Sequence, residues 1–203
     1  MRRPFFVCLL FLLAASTLFP QVYTSQLLYA EQFYKLFHRS LYEYPGNYSE
    51  NIYYLEEALK RPFANAINAI GKVETKNEYE RYQLLFRMHM NLKLVEQWRL
   101  WGSKYDKREA YFYNYPFKDQ ILDSLDYAES CYTVAGFYWD RVIQEIETLD
   151  TYKYSYIEGI EFWEDELKRI RTGDLDYGEF LGNDLERVKQ VRQKLEDMSP
   201  EDY

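Results

Sequence analysis

The side chains best suited to nucleophilic, acid-base or metal chemistry are few in this sequence. The histidines are His38 and His89, and Cys131 is the one cysteine outside the N-terminal apolar run. No H-E-x-x-H motif, Glu-x-x-His pair or Cys/His cluster accompanies them, so the sequence predicts no metal site, no cofactor and no nucleophilic catalysis. His89 falls in the apolar register of a helix, which predicts a packed imidazole, and His38 is predicted at a helix surface. Cys131 is predicted to be a small buried thiol, with a redox or intermolecular disulfide role as the alternative.

Carboxylates are plentiful, and Glu161, Glu164, Asp165 and Glu166 cluster around Trp163. Paired carboxylates beside an aromatic ring are typical of glycoside hydrolases, in which one acid protonates the leaving group. At helical spacing, however, Glu161 and Asp165 lie opposite an apolar seam, which predicts that the cluster is a solvated helix face. An enzyme that uses these carboxylates is therefore a weaker hypothesis, and the sequence assigns no catalytic residue.

Charge and composition narrow the class of protein further. Acidic residues (33) outnumber lysines and arginines (25), for a formal net charge of −8. Such a surface repels phosphate backbones, and no basic cluster offsets it, so nucleic-acid binding is not expected. Aromatic residues make up 19% of the chain, whereas there are 8 glycines and 6 prolines. This combination favours long helices with wide contact faces.

The N-terminus has the layout of a targeting segment. Arg2 and Arg3 precede an apolar run at 5–15, and small residues follow at 14–16. The apolar stretch is shorter than the ~20 residues needed to span a bilayer, which favours a cleaved signal peptide over a retained anchor. We therefore predict that residues 1–25 are a signal peptide or N-terminal membrane anchor and that residues 26–203 form a single all-helical domain. The predicted location is periplasmic or otherwise exported.

Apolar side chains recur at three- and four-residue steps in most of the remaining sequence, which predicts helices. The predicted helices cover residues 27–42, 48–61, 62–70, 76–101, 116–149, 156–172 and a final stretch after 183. Capping-box patterns at 47–50, 75–78 and 183–186 predict three of the helix starts. Gly71 is predicted to close the third helix as a C-terminal cap, and residues 174–182 are predicted to be a loop.

The longest seam lies in the fifth predicted helix, where apolar residues alternate at steps of four and three without interruption. Its members are Ile121, Leu125, Ala128, Tyr132, Ala135, Trp139, Val142, Ile146 and Leu149. The seam keeps its phase across Gly136, so one continuous helix is predicted there.

Short connections between one-sided helices predict antiparallel helical hairpins. Two all-α architectures are consistent with them: a degenerate TPR-like α-solenoid and an irregular helical bundle. Residues 98–105 resemble the W-x2-L-G-x2-Y half of a tetratricopeptide motif, and Ala128, Tyr132 and Ala135 match the A-x3-F-x2-A half. The two halves are out of phase, so any repeat is degenerate.

Three segments carry a resemblance to a known group of proteins. KRPFAN at 60–65, GSKYDKR at 102–108 and AYFYN at 110–114 resemble stretches of exported tetratricopeptide-like helical-repeat proteins of spirochaetes. Some of those proteins belong to the periplasmic collar of the flagellar motor. The resemblance spans about residues 50–145 and implies a periplasmic helical scaffold that docks onto neighbouring proteins.

Tyrosine is present in surplus, with 22 residues and runs at 42–54, 111–115 and 152–156. Tyrosine combines a broad contact area with a hydroxyl group and is enriched at protein interfaces. We predict that an aromatic linker binds partner proteins, through Tyr105, Tyr111, Phe112, Tyr113, Tyr115 and Phe117. The alternative is that the linker packs in the core.

Together these features predict an exported, non-enzymatic helical scaffold or adaptor that mediates protein-protein interaction in the periplasm. Its partners are expected to be periplasmic or membrane-associated proteins, with membrane contact only through a retained N-terminal segment. The alternative is a periplasmic small-ligand-binding helical module with an aromatic pocket between helices.

Overall fold

A computed structural model describes residues 26–106 and 115–201 of the chain. All regular structure in this part is helical, which confirms the predicted all-α class. The α-helices, numbered here in chain order, are α1 (Ala30–Glu43), α2 (Tyr48–Lys60), α3 (Lys76–Gly102), α4 (Lys118–Leu149), α5 (Glu161–Thr172) and α6 (Tyr177–Glu196). Short 3₁₀ turns occur at Ala66–Asn68 and Tyr115–Phe117. None of the described helices is both long and apolar enough to cross a membrane.

Local capping explains where several helices begin and end. The predicted box at the start of α3 is confirmed, because the Thr75 side chain accepts from the Glu78 amide while Glu78 accepts from the Thr75 amide. Helix α5 ends at Gly173, whose φ of +79° favours a residue without a Cβ. Asp176 caps α6 by accepting a hydrogen bond from the Glu179 amide.

The predicted seam is confirmed along the whole of α4. Its nine apolar members are all buried, and the helix runs without a break through Gly136. At 1.5 Å per residue, the 32 residues of α4 extend about 48 Å. The burial of Cys131 beside this seam also agrees with the sequence.

Two pairs of helices, α2 with α3 and α4 with α6, pack antiparallel. Asn51 near the start of α2 meets Gln97 near the end of α3, and Arg192 near the end of α6 pairs with Asp126 early in α4. Helix α3 is buried on nearly every side, because α2, α4 and α5 surround it. Its apolar residues are accordingly not confined to one stripe, as in the MHMNLKLV stretch.

The sequence-based prediction of a helix at 62–70 is wrong. The backbone amides there bond to side chains of other helices, since Ala64 donates to Glu31 and Ile70 donates to the Tyr82 hydroxyl. Gly71 does not cap a helix. It is buried where a Cβ would lie 2.8 Å from the Ile157 side chain, so its role is close packing.

Other predicted starts also need correction. At the start of α2, the Asn47 side chain donates a hydrogen bond to Glu50 and accepts one from the Ser49 hydroxyl, and no capping box forms. Helix α5 begins at Glu161, so Tyr156 lies outside it and is exposed, and Ile157 enters the core in its place. Helix α6 begins at Tyr177, which puts the predicted capping box at 183–186 inside the helix and shortens the predicted loop.

Candidate functional site

The predicted docking linker is partly described. Tyr105 is half-buried and lies against Tyr127, with ring centroids 5.6 Å apart. Tyr115 and Phe117 are exposed at the start of α4. Tyr111, Phe112 and Tyr113 lie outside the described residues, so the linker remains a predicted binding surface.

A second set of exposed aromatic rings lies on the α1–α2 hairpin. Tyr42 is 89% exposed at the end of α1, and Tyr44 and Tyr53 are also more than half exposed. Tyr54 lies beside Tyr53 and donates a hydrogen bond from its hydroxyl to Glu50. The sequence indicates a tyrosine surplus in this run, but helical periodicity alone could not show which of these rings stay exposed on the hairpin.

A buried polar group joins α1, α3 and α5. The His89 imidazole is fully buried, with its Nε2 atom 2.6 Å from the Tyr34 hydroxyl and its Nδ1 atom 2.5 Å from Glu166 Oε2. Lys93 lies 3.1 Å from the other oxygen of the Glu166 carboxylate. Trp163 stacks on the imidazole with a centroid distance of 5.2 Å.

These bonds define the protonation of the group. A carboxylate only accepts hydrogen bonds, so His89 Nδ1 carries the hydrogen and Nε2 accepts from the Tyr34 hydroxyl, which is the pattern of a neutral imidazole. Burial lowers the pKa of His89 and outweighs the raising effect of Glu166. Burial pushes the pKa of Glu166 upward, but hydrogen bonds from His89 and Lys93 and the charge of Lys93 bring it below its ordinary value. A neutral imidazole beside a charged carboxylate satisfies both trends.

The hydrogen-bonded chain Tyr34–His89–Glu166 has the connectivity of a catalytic relay, but it is buried and does not line an open cleft. Tyr34 and His89 lie in the hydrophobic core, under Phe86 and Trp163. The predicted packed imidazole is therefore confirmed. Its partner Glu166 was not predicted, because the two residues are 77 positions apart and share no local motif. The available signal was that a buried imidazole needs hydrogen-bond partners.

The acidic cluster of α5 divides between two environments. Glu161 and Asp165 are exposed, as predicted, but Glu164 and Glu166 face α3. Both Glu164 oxygens lie 2.7 Å from Arg81 Nη2, and the Arg81 side chain is only 2% exposed. The solvated-face prediction is thus wrong for Glu164 and Glu166, which join α5 to α3.

A further ion network closes the other end of the bundle. Asp184 on α6 accepts from Arg99 on α3 at 2.6 Å, and it also accepts from Arg187 at 2.8 Å. Arg187 pairs with Asp106, which accepts from the Tyr132 hydroxyl of α4 at 2.7 Å. These buried charges are compensated across three helices, so the network braces the fold.

Within residues 26–106 and 115–201, no group of three or more His, Cys, Asp or Glu side chains is placed to hold a metal ion. In this part of the chain the aromatic rings between α1, α3 and α5 pack against one another.

Comparison with curated proteins finds no match, and neither does comparison with solved structures. Residues 77–198 match a family described as a domain of unknown function, DUF8513. The match runs from the start of α3 past the end of α6, and the α1–α2 hairpin precedes it. Since the matched segment is more than half of the chain, this protein belongs to the DUF8513 family.

Proposed function

We propose that this protein is an exported, non-enzymatic helical scaffold that binds other proteins in the periplasm. The observation that carries the proposal is the set of tyrosines more than half exposed on the described helices and loops. They are Tyr42, Tyr44, Tyr53, Tyr127, Tyr154 and Tyr156. Three of them, Tyr42, Tyr44 and Tyr53, lie on the α1–α2 hairpin, which makes that hairpin the leading docking surface.

The physical basis is the way tyrosine contributes to interfaces. Each ring supplies a large contact area with few rotatable bonds, so little conformational entropy is lost when a partner covers it. The surrounding chain is acidic, with a net charge of −8, which steers basic partners toward it. Buried ion networks brace the bundle, and a braced bundle presents its outer side chains in fixed positions.

A narrower form of the proposal follows from the resemblance at residues 60–65, 102–108 and 110–114. That resemblance implies a component of the spirochaete flagellar motor collar, which docks onto neighbouring collar or motor proteins. The export part of the proposal rests on the composition of residues 1–25.

The test is crosslinking and affinity capture of the tagged full chain in its organism of origin. The hairpin variant, Tyr42→Ser with Tyr44→Ser and Tyr53→Ser, removes three exposed rings from the α1–α2 hairpin. A matched variant, Tyr127→Ser with Tyr154→Ser and Tyr156→Ser, removes the same number of exposed rings elsewhere. We expect the wild type and the matched variant to capture the same partner, and we expect the hairpin variant to lose it.

Two results would refute the proposal. One is a wild-type chain that captures no protein and remains monomeric by native mass spectrometry. The other is capture that both triple variants leave unchanged, because the exposed rings would then contribute nothing to binding. A small molecule that copurifies with the chain and raises its melting temperature would instead support the ligand-binding alternative.

A further inference from the structure

The start of α1 and the segment at 62–71 meet at one end of the bundle. The Ala30 amide donates to the Pro62 carbonyl at 3.0 Å, and the Ala64 amide donates to the buried Glu31 carboxylate at 2.8 Å. Helix α2 ends just before this segment, and α3 begins just after it. This end therefore lies where residues 1–25 join the described fold.

Apolar side chains are exposed at this end. Ile67 is 92% exposed on the 3₁₀ turn Ala66–Asn68. Leu28 is 49% exposed and Tyr29 is 40% exposed, and both lie directly before α1. Exposed apolar area is unfavourable in water, and several such side chains at one place are typical of a contact surface.

The backbone that presents Ile67 is fixed on both sides of the turn. The Tyr79 hydroxyl donates to the Ala64 carbonyl at 2.5 Å, and the Ile70 amide donates to the Tyr82 hydroxyl at 3.1 Å. A backbone held in this way does not turn Ile67 into the core, so its side chain stays in water unless another surface covers it.

The sequence before α1 indicates what that surface is. From Pro4 to Ala30 the chain has no charged residue, which is a run of 27 positions. A bilayer is crossed by ~20 residues, so the membrane-anchor alternative for residues 1–25 is compatible with the length of this uncharged run. Tyrosine is enriched at membrane–water interfaces, and Tyr29 lies at the end of the run. A bilayer at this end would cover the exposed apolar side chains.

The charges at this end do not oppose a lipid surface. The chain as a whole has a net charge of −8, which anionic headgroups repel. Residues 60–76, by contrast, contain four basic side chains, and Glu74 is their only acidic one. These cations pair with nearby carboxylates: Lys60 and Arg61 with Glu57, Lys72 with Glu74 and Glu158, and Lys76 with Glu80. Cations and carboxylates are therefore balanced here, so this end can approach headgroups more closely than the acidic remainder of the chain.

We propose that residues 1–25 are retained as an anchor and that this end of the bundle lies against a phospholipid surface. Ile67 inserts at the boundary between headgroups and acyl chains. One side chain binds lipid weakly, but the anchor keeps the turn beside the bilayer at a high effective concentration, so a weak contact is enough to orient the bundle. The inference goes beyond the proposed scaffold function and requires no protein partner.

The test places an NBD fluorophore next to Ile67 in the full chain. The reporter is Asn68→Cys in a chain that carries Cys8→Ser and Cys131→Ala, and the reference reporter is Tyr42→Cys at the other end of α1. Each chain is reconstituted into vesicles of phosphatidylethanolamine and phosphatidylglycerol, with and without a lipid that carries a nitroxide on its acyl chain. We expect blue-shifted emission that the nitroxide quenches at position 68, and neither effect at position 42.

Two variants of the chain labelled at position 68 separate contact from mere proximity. Ile67→Asp should lose the blue shift and the quenching, because a carboxylate is costly to transfer into a bilayer. Leu100→Asp makes the same change at an exposed apolar residue near the end of α3 and should leave both effects unchanged. Both sites are exposed, so circular dichroism should show the same helix content in both variants.

Three results would each overturn the inference. They are equal emission from positions 68 and 42, equal behaviour of Ile67→Asp and Leu100→Asp, and recovery of the chain without residues 1–25 in the soluble fraction of its organism of origin. An unshifted reporter at position 68, together with loss of a captured protein in Ile67→Asp, would assign the turn to a protein contact instead. Partner capture through the exposed tyrosines depends on none of these results, so the scaffold proposal is tested separately.

Discussion

The pair formed by Arg81 and Glu164 allows the position of α5 to be tested by removing a single charge. Glu164→Gln keeps the size of the side chain but leaves the Arg81 guanidinium, which is 2% exposed, without a counter-charge. Breaking a buried ion pair costs about 3–5 kcal/mol, and Glu164 itself remains 18% exposed, so we expect the lower end, ~3 kcal/mol. That is a large share of the ~5–15 kcal/mol that typically holds a domain together.

The matched control is Asp165→Asn, which removes the same charge from the neighbouring, exposed position. It should change the free energy of unfolding by less than ~0.5 kcal/mol. The measurement is urea denaturation followed by circular dichroism, with the slope of the transition checked for constancy. If the two variants lose equal stability, Glu164 lies on a solvated face and the packing of α5 against α3 described here is wrong.

Three further predictions use other parts of the fold. The pKa of His89 in the folded chain lies below its unfolded value of about 6.5, so the unfolded chain binds the proton more readily. The free energy of unfolding should therefore fall as the pH drops below about 6.5, by up to ~1.4 kcal/mol per pH unit. Urea melts at several pH values should show this loss, and His89→Gln should reduce the slope. Trp139→Asp should unfold the chain or nearly so, since truncation of a buried tryptophan alone costs ~3–5 kcal/mol and a charge adds to it. A folded variant by circular dichroism would contradict the α4 seam. Thr75→Ala should cost ~1 kcal/mol in thermal melts because it removes the cap of α3, and an unchanged melting temperature would contradict that cap.

Features encoded within one or two helical turns could be predicted from the sequence. The burial of the α4 seam follows from spacing alone, and the start of α3 follows from Thr75 and Glu78, which are three positions apart as in a capping box. The start of α6 could not be predicted, because glycines and acids after Asp174 favour a loop locally. In the fold, Asp176 caps that helix, and Gly178 lies where a Cβ would be 3.0 Å from the Trp139 indole nitrogen, so local capping and tertiary packing act together there.

The candidate sites show the same division between local and distant information. The tyrosine surplus is visible in the composition, but which rings stay exposed depends on how the helices meet. Similarly, periodicity predicted a solvated face for the acidic cluster around Trp163, and it could not supply the partners of Glu164 and Glu166 on α3. His89 and Glu166 are 77 positions apart in the sequence, and Arg81 and Glu164 are 83 positions apart. Contacts between such distant residues depend on the assembled fold, so local sequence patterns do not predict them.

The position of Trp163 has a consequence for the growing chain. Tyr34, Phe86 and His89 belong to helices completed early in synthesis, whereas the indole that covers them is contributed by α5 near the end of the sequence. Until residues 161–172 have been synthesised, these rings lack the cover of Trp163 and form an exposed, aggregation-prone hydrophobic surface on an incomplete bundle. A chaperone that shields aromatic surfaces would therefore be needed most during the interval between completion of α3 and arrival of α5.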